Sequence, residues 1–76
     1  MRLSSYVGNT PLIPIRLGGY TVWGKCEFMN PGGSVKDRMA TYILDDAEDR
    51  KLIKKGDTLI EATSGNTGIA FAMLAA

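Results

Sequence analysis

The sequence predicts an α/β fold, on three observations made along its 76 residues. Stretches rich in β-branched and aromatic residues alternate with stretches whose apolar residues recur at helical spacing. Clusters of glycine, proline and asparagine separate them. The resulting order of strand, helix, strand, helix is that of α/β proteins with a mainly parallel sheet and flanking helices.

Each element follows from its residues. Val7-Gly8-Asn9-Thr10-Pro11-Leu12 has turn chemistry. Leu12-Ile13-Pro14-Ile15 is a short apolar stretch that Pro14 restricts to an edge strand or an extended segment. Gly18-Gly19 makes a turn. Tyr20-Thr21-Val22-Trp23-Gly24-Lys25-Cys26-Glu27-Phe28 partly alternates and reads as a strand. Asn30-Pro31-Gly32-Gly33 cannot continue it. Ser34 is then a good helix N-cap, with Asp37 in the reciprocal position of a capping box. Val35, Met39, Ile43 and Ala47 lie four apart, flanked by Tyr42 and Leu44, and mark one face of a helix reaching to about Lys51. Asp45, Asp46, Glu48, Asp49 and Arg50 form its wet side, and Lys54-Lys55-Gly56 closes it.

Thr58-Leu59-Ile60-Glu61-Ala62 is the next strand candidate. The loop Thr63-Ser64-Gly65-Asn66-Thr67-Gly68 runs from it into residues 69–76, a segment apolar on every side that calls for burial all round. Two strands and two helices cannot cover both faces of a parallel sheet. The expectation is therefore an amino-terminal piece of a larger protein, or a chain that folds against a partner.

Composition excludes several functions. A net charge of +1 gives no electrostatic basis for binding nucleic acid or a membrane surface. With no histidine, a His-based metal site or triad cannot be built, and a single cysteine rules out a disulfide framework. Cys26, inside an apolar strand, reads as a small buried hydrophobe. The acidic run at 45–49 lacks the glycine-punctuated spacing of a calcium loop. Tyr20, Trp23 and Phe28 have no accompanying basic stripe and read as core or sheet-surface residues. No secretory h-region and no bilayer-length apolar run is present, so a soluble protein of the cytoplasm is expected.

Two places carry candidate chemistry. Lys36 falls in the first turn of its helix, where the macrodipole and the unpaired N–H groups oppose a positive charge. Burial would push the same way, and a neutral amine is a nucleophile and a base. The loop at 63–68, set between a strand and a helix, aims backbone N–H groups at an anion. Thr63, Ser64 and Thr67 add hydroxyls and Asn66 an amide, but no base is evident, so the loop reads as a binder of carboxylate or phosphate. It lacks the spacing of a nucleotide P-loop. Pro31-Gly32-Gly33 reads as a place of close backbone approach to a ligand beside Lys36.

Gly8-Asn9-Thr10-Pro11-Leu12, Asn30-Pro31-Gly32-Gly33-Ser34-Val35-Lys36-Asp37-Arg38 and Glu61-Ala62-Thr63-Ser64-Gly65-Asn66-Thr67-Gly68 occur in that order. Together they resemble the amino-terminal part of the cysteine synthases, fold-type-II pyridoxal-phosphate enzymes of which cystathionine β-synthase is a near relative. The resemblance spans essentially the whole chain. It implies that residues 1–76 are the amino-terminal part of a β-replacement enzyme whose remainder is absent from the chain. It implies that Lys36 forms the imine with pyridoxal 5′-phosphate and then takes the Cα proton. Thr63, Ser64, Asn66 and Thr67 match the loop that grips the carboxylate of a small amino-acid substrate, and Asn66 the residue that meets the 3′-oxygen of the cofactor ring. The family's phosphate-binding loop and the hydroxyl residue facing the pyridine nitrogen have no counterpart here. A homodimer is implied for the full-length enzyme. Cysteine synthesis is the leading reaction, with cystathionine β-synthase as the alternative. A short, non-enzymatic homologue that binds an anion or docks on a partner is the reading from another class.

Overall fold

The first half of the chain is organised by a β-hairpin. In the computed structural model, which describes residues 2–63 and 65–76, β1 (Leu12–Leu17) pairs antiparallel with β2 (Tyr20–Lys25). The register runs from Leu12 opposite Lys25 to Leu17 opposite Tyr20, leaving Gly18 and Gly19 as a two-residue turn. Both have positive φ, +52° and +93°, as a type I′ turn requires of its central residues, and glycine takes those angles without a Cβ clash. Pro14 is tolerated because each strand of a two-stranded ribbon is an edge. One turn of 3-10 helix (Leu3–Tyr6) precedes the hairpin. A second (Glu27–Met29) follows it, so the predicted strand ends at Lys25 rather than Phe28.

Two helices make up the rest. α1 (Lys36–Asp49) and α2 (Asn66–Ala75) pack against each other, and α2 also touches the Leu3–Tyr6 turn. A fully buried alanine on each, Ala40 and Ala70, keeps side-chain bulk out of the packed region. α1 ends in a Schellman arrangement. The Leu52 N–H reaches the Ala47 carbonyl at 2.8 Å and the Lys51 N–H reaches Glu48 at 3.0 Å, with Lys51 in the left-handed region at φ +58°.

Three expectations are corrected. The apolar line Val35, Met39, Ile43 is exposed, and α1 turns Asp37, Ala40, Thr41 and Leu44 inward instead. Those residues also follow the 3.6 period, so two faces satisfied it and only one meets α2. Residues 58–62 form no strand. A strand exists through its ladder, no other segment among the described residues pairs with this one, and Ile60 is 93% exposed. The sheet among the described residues is thus the antiparallel hairpin alone, and they hold no parallel pairing. Nor is α2 covered all round, since Ile69 and Ala72 are exposed.

The described residues scarcely enclose a core. Only Cys26, Ala40 and Ala70 are buried hydrophobics, and the hairpin exposes Leu12, Ile13, Ile15, Leu17, Tyr20, Val22 and Trp23. The radius of gyration is 15.3 Å, against about 11 Å for a compact domain of this length. The accessible surface of 5985 Å² likewise exceeds the roughly 4500 Å² expected of a folded monomer of this mass.

Candidate active site

The segment around Lys36 is held by a polar network that joins three stretches of chain. Glu27 sits at its centre. Arg38 donates to it from Nε at 2.5 Å and from Nη2 at 3.0 Å, Asn30 donates from Nδ2 at 3.1 Å, and the Thr10 hydroxyl donates to its other oxygen. These donors stabilise the carboxylate and hold the Glu27 pKa down at about 2, with the Arg38 guanidinium the largest cause. The same pairing raises that of Arg38.

Asn30 is buried and spends every polar group of its side chain. Oδ1 accepts the Gly8 N–H at 2.7 Å, and Nδ2 also donates to the carbonyls of Glu27 at 3.1 Å and Ser34 at 3.0 Å. Lys25 reaches the Thr10 carbonyl at 2.7 Å. The loop at 8–10, the turn at 27–30 and the start of α1 are thus tied into one unit. Gly8, with φ +89°, lies under the Arg38 guanidinium, where an added Cβ would come within 3.1 Å of Nη1.

At the mouth of α1 the N-cap is Val35 rather than the predicted Ser34, and the capping box does not form. The Ser34 hydroxyl does accept a first-turn N–H, that of Lys36 at 3.2 Å. The Asp37 carboxylate does not return to Ser34. It accepts the Gly32 N–H at 2.5 Å instead, because the turn at 30–33 brings that amide closer. This also corrects the reading of the two glycines. A Cβ at Gly32 would collide with Asp37 Oδ1, so the close approach there is to a side chain of this chain. Gly33 has open space around it, and its φ of +88° is what calls for glycine.

Lys36 lies in the first turn of α1, as predicted, and is its first residue, but its side chain is exposed rather than buried. Its Nζ has no ion-pair or hydrogen-bond partner among the described residues. In the second candidate loop, Thr63 is exposed and its hydroxyl accepts the Gly65 N–H at 3.3 Å. Asn66 and Thr67 open α2, where Gly65 supplies no side-chain cap. The N–H groups of Asn66, Thr67 and Gly68 therefore have no acceptor among the described residues. Ser64 lies outside the described residues.

A cavity of about 810 Å³ is lined by the C-terminal halves of both helices, including Leu44, Glu48, Met73 and Leu74, and by residues 53–57. No candidate site residue lines the cavity itself.

The donors of Lys36, Asn66 and Thr67 fit pyridoxal phosphate and an amino-acid carboxylate. An exposed primary amine without a partner can meet an aldehyde, and an uncapped helix start with an amide and a hydroxyl can meet anionic oxygens. Among the described residues no group of three or more His, Cys, Asp or Glu could hold a metal, and no helix is long and apolar enough to cross a membrane. What sequence reasoning missed is the Glu27–Arg38 tie. The available signal was that Glu27 is the only acidic residue among the first 36.

An exposed amine at one helix start and an uncapped start on a second helix are chemistry that suits a pyridoxal-phosphate enzyme. Residues 3–76 match the family described as Pyridoxal-phosphate dependent enzyme, and the chain belongs to that family. It is 58% identical over 78 residues to cysteine synthase B of Salmonella typhimurium, covering 97% of this chain and 26% of that protein. It is 55% identical over 76 residues to the cystathionine beta-synthase of Apis mellifera, covering 92% of this chain and 15% of that protein. Among solved structures, O-ureido-L-serine synthase matches with a TM-score of 0.90 at 45% identity, over 97% of this chain and 24% of that one. The chain thus spans between 19% and 26% of the length of the first cysteine synthases it matches.

Proposed function

We propose that these residues are the amino-terminal part of a pyridoxal-phosphate-dependent cysteine synthase, which replaces the leaving group on Cβ of an activated serine, such as O-acetylserine, with sulfur. The observation that carries the reading is the chemistry of two helix starts, one offering the unpartnered amine of Lys36 and the other the uncapped N–H groups at Asn66 and Thr67. The similarity to cysteine synthases supports the choice of reaction.

Pyridoxal phosphate, when bound, supplies an aldehyde for an amine and a ring that accepts electrons from Cα. Lys36 Nζ is the amine that would hold it by its aldehyde carbon. Once released from the cofactor, the same Nζ would serve as the base for the Cα proton of the substrate. Thr63, Ser64, Asn66 and Thr67 bind the substrate carboxylate, and that contact turns the Cα–H bond toward Lys36. Asn66 would also hold the cofactor at the 3′-oxygen of its ring. Fixing one end of a small substrate and leaving Cβ open is what a replacement at Cβ needs.

In the full-length enzyme the exposed apolar faces of the hairpin, α1 and α2 are covered by the rest of the protein. Residues 58–62 there join a mainly parallel sheet, the cofactor phosphate is held by a loop outside this chain, and two copies form a dimer in the cytoplasm.

The test is an assay of the full-length protein with O-acetylserine and sulfide. Cysteine should form, and Lys36→Ala should reduce turnover by at least about a thousandfold, as loss of a covalent nucleophile and base does. Normal turnover by Lys36→Ala would overturn the assignment. Cystathionine β-synthase is the second reading, favoured by the likeness to the Apis mellifera protein. Homocysteine used in preference to sulfide would select it.

A further inference from the structure

We propose that Asp37 is a positioning residue for Lys36, acting through the Gly32 amide; this rests on the reading of Lys36 as the amine that captures the cofactor. Asp37 follows Lys36 directly, and it is the largest fully buried side chain, at 0% exposure. One carboxylate oxygen accepts the Gly32 N–H at 2.5 Å, while the other, Oδ1, is buried with no hydrogen-bond partner among the described residues. A carboxyl group in such a place costs stability that an apolar residue would not cost. Helix capping does not account for it, because the bond leaves the helix and reaches back five residues into the preceding turn.

That bond closes a ring from Gly32 to Asp37, with Lys36 inside it. Within the ring the Ser34 hydroxyl takes the Lys36 N–H at 3.2 Å, and the Ser34 carbonyl takes the Asp37 N–H at 3.4 Å and Asn30 Nδ2 at 3.0 Å. Immediately beyond it, Arg38 is fastened to Glu27 and Thr10. The backbone of Lys36 is thus fixed on both sides while its side chain is left exposed. A reactive amine that must reach one aldehyde carbon needs this combination of a rigid base and a free end. Gly32 completes the device. A side chain there would strike Asp37 Oδ1, so only glycine lets amide and carboxylate meet.

The experiment uses the full-length protein stripped of cofactor. Pyridoxal phosphate is added back, and borohydride quenching with peptide mass gives the rate at which the Lys36 peptide is labelled. Melting of the cofactor-free protein is followed alongside, so that rates are compared per folded molecule. Asp37→Ala should slow labelling roughly tenfold or more, the scale on which small misplacements act. Asp37→Asn, which keeps an oxygen for the Gly32 N–H, should recover most of the rate. Gly32→Ala should be slow as well, and the double variant Gly32→Ala with Asp37→Ala no slower than the slower single, since both remove one contact. Wild-type labelling by folded Asp37→Ala, or an Asn variant as slow as the Ala variant, would overturn the proposal. So would variants that only unfold, because Asp37 would then serve folding alone. If the wild-type adduct instead falls on a peptide other than that of Lys36, the functional reading itself fails.

Discussion

Arg38 holds Glu27 with two nitrogens, Nε to Oε1 at 2.5 Å and Nη2 to Oε2 at 3.0 Å, across eleven residues of sequence. The fork matches the carboxylate plane, a geometry that lysine cannot copy. Through Glu27 the same guanidinium reaches Thr10 and Asn30, so three separate turns depend on it.

This pair predicts an acid dependence of stability. The Glu27 pKa is about 2 when folded, against 4.5 as the ordinary value, so the unfolded chain takes up the proton first as pH falls. The stability that Glu27 contributes is therefore complete above pH 4.5 and is lost on going down toward pH 2. Urea midpoints of the full-length protein and its Glu27→Gln variant should differ at neutral pH, and the gap should narrow over that interval. A gap that stays constant down to pH 2 would show that the charge on Glu27 is not what matters.

Gly68 makes a prediction about the anion loop. A Cβ at Gly68 would collide with the Thr63 methyl, Cγ2. In a helix, Gly→Ala alone adds about 1 kcal/mol of stability, so any loss must come from Thr63 being pushed aside. Gly68→Ala should leave melting unchanged or improved while raising KM for the amino-acid substrate roughly tenfold, the scale of one hydrogen bond to a charged group. Thr63→Ser removes the methyl and keeps the hydroxyl. Combined with Gly68→Ala it should restore KM, and a double variant as poor as the single would contradict the contact.

Lys51 sits where glycine is favoured. It occupies the left-handed position of the helix end at φ +58°, and its side chain is exposed. Lys51→Gly should stabilise the full-length protein by about 1 kcal/mol, the cost of a Cβ in that conformation. Denaturant titration would measure it, and a destabilised variant would mean that the lysine has a contact of its own.

What was legible in the sequence was local. The turn at Gly18-Gly19, the two strands beside it, a helix with Lys36 in its first turn and the presence of α2 all follow from residue type and spacing, and the structure has them. What was not legible depends on partners distant in sequence. Residues 58–62 have strand composition, yet a ladder needs a second chain segment. The face of α1 that turns inward is chosen by α2, not by its own apolar line. Asp37 read as a capping-box acid, because spacing alone shows only that it can reach Ser34. That it takes Gly32 instead depends on the path of the turn before it. At the candidate site, residue types singled out Lys36 and the loop at 63–68, while the Glu27–Arg38 tie beside Lys36 lay between motifs.

The central claim is that Lys36 carries the cofactor, and borohydride reduction of the purified full-length protein tests it most directly. A reduced pyridoxyl group on the peptide containing Lys36, absent from Lys36→Ala, is the predicted result. An unmodified Lys36 peptide in protein that holds its cofactor, or an adduct on another lysine, would contradict it.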